Sequence, residues 1–406
     1  MCDAAEKAAA EAAAFTPALP FALVSGEETL VGRGCLGLVE DGPSPLGERA
    51  RALVEAEGAG PRLVVGALPF DRTAAPHLYR PAELSRSAGR SCFAAAFPPP
   101  SLVRVEPAPP PRWEVTPEPS LAAYESAVAE ALSRMARREE GLRKIVLSRS
   151  LRLLADRAID ASALLRALSE DASVTAFCVP LAAAEGSGEA SRALVGATPE
   201  LLLSKRGARV VSHPLAGSAR RARKDAADRA AAEELLASEK DRREHREVVT
   251  AILDLLAPHC AELAAPEGPA LAATASMWHL GTRIVGRLRD PAMSSLDLAA
   301  LLHPTPAVCG TPRAAAARAI AELEGYERGF YAGAVGWCDA AGDGAWHVAI
   351  RCAEIAGRRA RLFAGAGIVS GSDPVAEGEE TSAKFAALLG ALGIDEQGRV
   401  RSEEQA

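Results

Sequence analysis

"ALVGATPELLLSKRGARVVSHPLAG", residues 193–217, alternates apolar and polar positions on both sides of Gly207. A two-residue period that reverses at a glycine predicts a β-hairpin. Upstream, "LAAYESAVAEALSRMARREEG" (121–141) has helical spacing and ends at glycine, after which "KIVLSRS" (144–150) begins a strand. Downstream, residues 225–259 carry a long helical pattern broken once, and 329–369 reads as three strands joined by turns at "DAAGDG" and "AGRR". Hairpins mixed with long helices, without the strand–helix alternation of a parallel sheet, predict an α+β fold with antiparallel sheets. The first hundred residues hold short apolar runs such as "RLVVGALPF" (62–70), and proline-rich "FPPPSLVRVEPAPPPRWEVTPEPS" (97–120) predicts an extended join.

At 406 residues, 49% hydrophobic and 24% charged, the chain can bury one large core or two smaller ones. A formal charge of -7 gives no overall attraction to nucleic acid or anionic membranes. The eight cysteines are scattered, with no paired spacing for zinc or a disulfide framework, so reduced thiols in the cytoplasm are expected. The alanine-rich start lacks the basic and apolar regions of a signal peptide, and no stretch reaches membrane-spanning length.

Two acidic pairs stand out. In "SDPVAEGEETSAKF" (372–385), helical spacing puts Glu377, Glu380 and Lys384 on one face with Leu388 and Leu392, while Glu379 turns away. In "EKDRREHREVVTAILDLL" (239–256), Asp241 and Glu244 head a stripe of Val248, Ile252 and Leu255. One such pair is usually a solvated helix face. Two pairs that each continue an apolar stripe point to inward carboxylates sharing a cation, since a buried carboxylate needs a partner. The alternation Ala349, Arg351, Ala353, Ile355 likewise sets a guanidinium on a face of small apolar residues, as a pocket wall for a carboxylate would be built.

From about Lys144 to Lys384 the chain resembles the chorismate-using enzymes of menaquinone, siderophore, folate and tryptophan biosynthesis, and among them looks most like the isochorismate synthases. The resemblance rests on "KIVLSR", "GATPELLLS", "HPLAGSARR", "EKDRREH", "HLGT", "LHPTPAVCGTP", "ERGFYAGAVGW", "GDGAWHVAIRCAEI" and "AGAGIVSGSDP…EGEETSAK", in that order. It implies a single α/β sandwich of two large antiparallel sheets, with helices outside and a central buried site. On this division residues 1–115 are the N-terminal part, 116–392 the chorismate-binding catalytic region and 393–406 a polar tail. The resemblance also implies Mg2+, with Glu244 and Glu380 as direct ligands and Asp241 and Glu377 as an outer pair holding waters. Chorismate is a dicarboxylate, and four inward carboxylates would repel it unless a divalent cation lay between.

The implied reaction adds water at C2 of chorismate while the C4 hydroxyl leaves. By resemblance Lys144 activates the water and Glu200 protonates the departing hydroxyl; Lys144 needs its pKa lowered by burial or a cationic neighbour, for which Arg149 is the candidate. Arg351, Lys384 and the "AGAG" backbone (Gly365, Ala366, Gly367) are expected at the substrate carboxylates, His279 near C4, and Gly217 and Ser218 beside the leaving hydroxyl. Ala307 and Tyr331 line the pocket. Ala216 stands where relatives that add a covalent lysine carry that residue, and Lys144 favours water over ammonia. The alternative product is salicylate, by further loss of pyruvate. Ala307, Val308 and Ile350 favour releasing isochorismate, whereas Tyr331 leans towards salicylate. A non-catalytic chorismate-binding protein would require loss of the acid, base or metal residues, and all are present. The expected partner is chorismate alone, with neither nucleic acid nor membrane, and the expected state a monomer. Isochorismate feeds both siderophore and menaquinone synthesis, and these residues do not separate the two.

Overall fold

The computed structural model describes residues 15–56, 58–98, 110–183 and 191–400. The alanine-rich start to residue 14, the middle of the proline-rich join (99–109) and the end of the polar tail (401–406) lie outside them. Two large antiparallel sheets, of ten and nine strands, carry the α+β fold. In the first, Lys144–Ala155 pairs with Arg359–Val369, which pairs in turn with Cys352–Ala356 and then Arg192–Thr198. In the second, Leu201–Arg206 lies between Arg209–His213 and Gly344–Val348. Side chains on a strand alternate between faces. Thus Phe21 and Leu23 join the core shared by the two sheets, while Ala22 and Val24 face a second core beneath the helices Ala161–Leu168 and Pro374–Ala391. A third core holds Ile145, Leu147, Ala366 and Ile368 against the helices Leu121–Ala136 and Arg313–Leu323. Burial on both faces explains why strands such as "FALV" read as unbroken apolar runs.

The stretch 193–217 visits three sheets. The predicted hairpin is present as Leu201–Arg206 and Arg209–His213, turning at Gly207 with φ +56°. Before it, Arg192–Thr198 belongs to the first sheet; after it, Leu215–Arg220 pairs with Met277–Gly281 in a small third sheet. The chain changes sheet at Pro199–Glu200 and again at Pro214, where a proline ends each run of pairing.

The expectation of three strands over 329–369 is corrected to four. Gly344–Val348 lies in the second sheet and Cys352–Ala356 in the first, so the run read as one strand breaks at residues 349–351. Arg351 stands at this crossing with φ +50°, outside any strand. The alternation that placed it on a strand face therefore does not exist.

The long helical pattern breaks at Ser238, between Asp225–Ala237 and Glu239–Leu256. Ser238 caps the second helix: its Oγ accepts the Asp241 N–H at 3.2 Å and donates to Asp241 Oδ2 at 2.5 Å. The apolar stripe runs through Val248 and Ile252 as expected but ends on Leu256 rather than Leu255. The far end of the proline-rich join, Trp113–Glu118, is a strand laid on Lys144–Ala155. Strands of the first hundred residues enter both sheets. Among the described residues no helix is long and apolar enough to cross a membrane.

Candidate active site

A cleft opens where the sheet-changing segments meet. Glu200, Gly217, Ser218, Glu244, His279, Ala307, Tyr331, Arg351, Gly365, Gly367, Glu380 and Lys384 all line it, from segments spread over 185 residues of sequence. Two glycines make this convergence possible. A Cβ on Gly367 would lie 1.9 Å from Glu244 Oε1, so only glycine admits that carboxylate. Gly217, at φ +81°, brings its strand against the Asp241 side chain, where a Cβ would meet Asp241 Cβ at 2.9 Å.

Glu200 is enclosed at the start of its hairpin, and burial pushes its carboxyl up to about 8. The Leu215 N–H and the cations Lys144, Arg351 and Lys384 pull in the opposite direction without restoring an ordinary value. At neutral pH it is therefore a protonated acid within a cationic surround. His279 is held neutral, well below its ordinary value, by burial and then by Arg351 and Lys384. Its Nε2 is buried with no hydrogen-bond partner among the described residues. The Tyr331 ring stacks on Phe363 with centroids 4.8 Å apart and planes within 8°.

Lys144 opens its strand and is fully enclosed, on the same strand face as Val146, which lines the cleft. Its Nζ lies 3.0 Å from Glu244 Oε1. Arg149, expected as its cationic neighbour, lies five positions along and therefore on the opposite face. Its guanidinium donates to Thr381 Oγ1 at 2.8 Å and covers the Phe385 ring at 5.0 Å. Ala366 is also turned away from the cleft: it packs in the third core while Gly365 and Gly367 face the site.

On the helix Pro374–Ala391, Glu377 is buried, Glu380 half-buried and Glu379 exposed, the order that helical spacing predicts for that helix. Of the four carboxylates expected at the cation, Glu244 and Glu380 line the cleft, and Asp241 and Glu377 do not. Each has a partner on the chain. Ser218 Oγ donates to Glu380 Oε1 at 2.8 Å, and Lys384 Nζ lies 2.6 Å from the same oxygen while donating to Gly365 O at 2.7 Å. Lys240 Nζ donates to Glu377 Oε1 at 2.6 Å. Among the described residues no group of three or more His, Cys, Asp or Glu side chains is gathered closely enough to hold a metal ion as it stands. The donor chemistry nonetheless fits a hard cation. All four donors are carboxylates, burial and Glu380 push Glu377 up, and burial with Glu244 pushes Asp241 up, so these acids lie close enough to repel one another.

Sequence reasoning passed over Lys240, Val146, Phe363 and Pro199. Lys240 is one helical turn before Glu244, Val146 two residues after Lys144, and Phe363 on the strand face of Gly365 and Gly367, so periodicity alone places these three at the site.

Residues 102–393 match the family described as chorismate-binding enzymes. The chain is 43% identical over 383 residues to the isochorismate synthase DhbC of Bacillus subtilis, covering 92% of this chain and 94% of that one. It is 40% identical over 358 residues to the isochorismate synthase EntC of Escherichia coli K12, covering 86% and 87%. Among solved structures, a DhbC from Bacillus anthracis described as a putative 2,3-dihydroxybenzoate-specific isochorismate synthase aligns with TM-score 0.84 at 39% identity, over 94% of this chain and 98% of that one. The chain belongs to the family of chorismate-binding enzymes.

Proposed function

We propose that this protein is an isochorismate synthase, interconverting chorismate and isochorismate by adding water at C2 and losing the C4 hydroxyl. One observation carries the reading: Glu200, in a cleft lined by Arg351 and Lys384 and within the field of the buried Lys144, holds its proton up to about pH 8. A departing hydroxide needs such an acid, and a dicarboxylate substrate needs such cations.

In this reading Lys144, an ammonium paired with Glu244 in the resting protein, must first give up that proton; as the free amine its Nζ then takes one from the attacking water, and Glu200 gives one to the leaving oxygen. Arg351 and Lys384 orient the two substrate carboxylates with the backbone of Gly365 and Gly367. His279 offers its unpaired Nε2 near C4, beside Gly217 and Ser218. Tyr331 and Ala307 close the ring-facing wall. Glu244 and Glu380 would hold Mg2+, with Asp241 and Glu377 as an outer pair; bound there, it would neutralise the carboxylates that otherwise repel the substrate. The free thiols of the described cysteines suit a cytoplasmic enzyme. Incubation with chorismate and Mg2+ tests the proposal: isochorismate should form with little pyruvate. Stoichiometric pyruvate, followed with lactate dehydrogenase, would identify a salicylate synthase, and unchanged chorismate would leave only binding.

A further inference from the structure

Three lysines stand at the acidic edge of the cleft, and they are not equivalent. Lys144 is sealed in, and Lys384 is mostly buried and tied to a backbone carbonyl as well as to Glu380. Lys240 differs from both in its exposure. Its side chain is the most exposed of the three, at 32%, and the carboxylate it holds, Glu377, is 2% exposed. A long side chain with an exit to water is thus paired with an acid that has none.

We propose that Lys240 is a resident counter-cation that a divalent ion must displace from Glu377, and that it thereby sets how tightly the acidic edge takes Mg2+. The inference rests on the reading of Glu244, Glu380, Asp241 and Glu377 as the cation site. Lys240 belongs to the same helix as Asp241 and Glu244 and reaches across to the helix Pro374–Ala391, 137 residues away in sequence. Its ammonium feels Glu377 first, then Glu380 and Glu244, so it neutralises the edge as a whole. Without such a charge, a buried Glu377 beside Glu380 would leave the cation-free protein with uncompensated like charges. With it, an incoming cation meets a partly neutralised site and must send the ammonium to solvent. The flexible lysine stem permits that movement.

The two halves of this role have opposite signs, so they separate from a merely structural one. In Lys240→Gln, thermal stability in EDTA should fall, because Glu377 loses its partner. Titration with Mg2+ alone, without chorismate, should show tighter binding by calorimetry, by roughly tenfold, the effect of removing one unit charge beside a partly buried carboxylate. The rise in Tm on adding Mg2+ should be correspondingly larger than in wild type. Lys240→Arg keeps the charge and should bind Mg2+ as wild type does. In a Glu377→Gln background the Lys240→Gln change should no longer tighten binding, since the acid for which lysine and cation compete is gone. Equal or weaker Mg2+ binding by Lys240→Gln would overturn the role of Lys240 while leaving the cation site intact. Absence of Mg2+ binding to the wild type, in heat and in Tm alike, would overturn the cation reading and this inference with it.

Discussion

Lys144 Nζ lies 3.0 Å from Glu244 Oε1, the lysine with no exposed surface and the carboxylate almost none. The pair joins the strand Lys144–Ala155 to the helix Glu239–Leu256, and each residue is the other's ion-pair partner across 100 positions. Treated as isolated acids, the inward carboxylates would make the protein more stable when removed. Paired in this way, Glu244 should do the reverse. Glu244→Ala leaves a buried ammonium uncompensated and should lower the free energy of unfolding by about 3–5 kcal/mol, measured by urea denaturation in EDTA. Lys144→Met combined with Glu244→Leu should recover most of that loss while remaining inactive.

Glu200→Gln keeps the shape of the acid but has no proton to give, so isochorismate formation should drop by roughly 10²–10⁴-fold in both directions of the reaction. The pH dependence has a definite sign. The folded carboxyl holds its proton up to about 8 while its ordinary value is 4.5, so wild-type stability attributable to this group is greatest below about 4.5 and is lost as pH rises through about 8. Glu200→Gln should therefore gain in stability relative to wild type across that window. Forward turnover of wild type should decline above about pH 8 as the acid ionises. A flat profile from pH 6 to 9 would assign proton delivery elsewhere.

Behind the cleft, Arg328 and Glu324 form a buried pair whose guanidinium also donates to Val308 O and Val146 O, both at 2.7 Å. Glu324 Oε1 accepts from the Ser148 N–H at 2.6 Å. These bonds fix two residues that line the cleft, Val146 and Val308, from the rear. Glu324→Gln should cost about 3–5 kcal/mol of stability by leaving Arg328 buried without its carboxylate. Arg328→Lys, which keeps charge but cannot bridge both carbonyls, should raise KM for chorismate more than it lowers stability.

Periodicity decided which acids turn inward: helical spacing separated Glu377 and Glu380 from Glu379, and the structure buries the first, half-buries the second and exposes the third. Strand parity held the answer for two misplacements. Ala366 must face away from Gly365 and Gly367, and Arg149 away from Lys144, because neighbours at odd spacing lie on opposite faces. Other features have no local signature. Arg351 reaches the cleft because the chain changes sheets beside it, which depends on how two sheets pack. The three lysine–acid pairs divide in the same way: Lys384 and Glu380 are one turn apart on a helix and legible, whereas Lys144 with Glu244 and Lys240 with Glu377 are set only by tertiary structure.

The glycine at 367 tests the geometry of the acidic edge without touching any charge. Its strand neighbours pair along Lys144–Ala155, so the backbone there is held on both sides of the position and cannot easily retreat. A methyl group at Gly367 would meet Glu244 Oε1 at 1.9 Å, far inside contact distance. The carboxylate, being a side-chain terminus, is the part that gives way. Gly367→Ala should therefore leave a folded protein, with a modest fall in Tm, whose Glu244 is displaced from the cleft. If Glu244 serves a cation there, Mg2+ titrated by calorimetry should bind at least tenfold more weakly, and activity should require more Mg2+. Glu379→Ala, an exposed position on the same acidic segment as Glu380, should leave both measurements as in wild type. Unchanged Mg2+ binding in Gly367→Ala, or a loss in Glu379→Ala as large as in Glu380→Ala, would show that the cation is held by a different set of side chains.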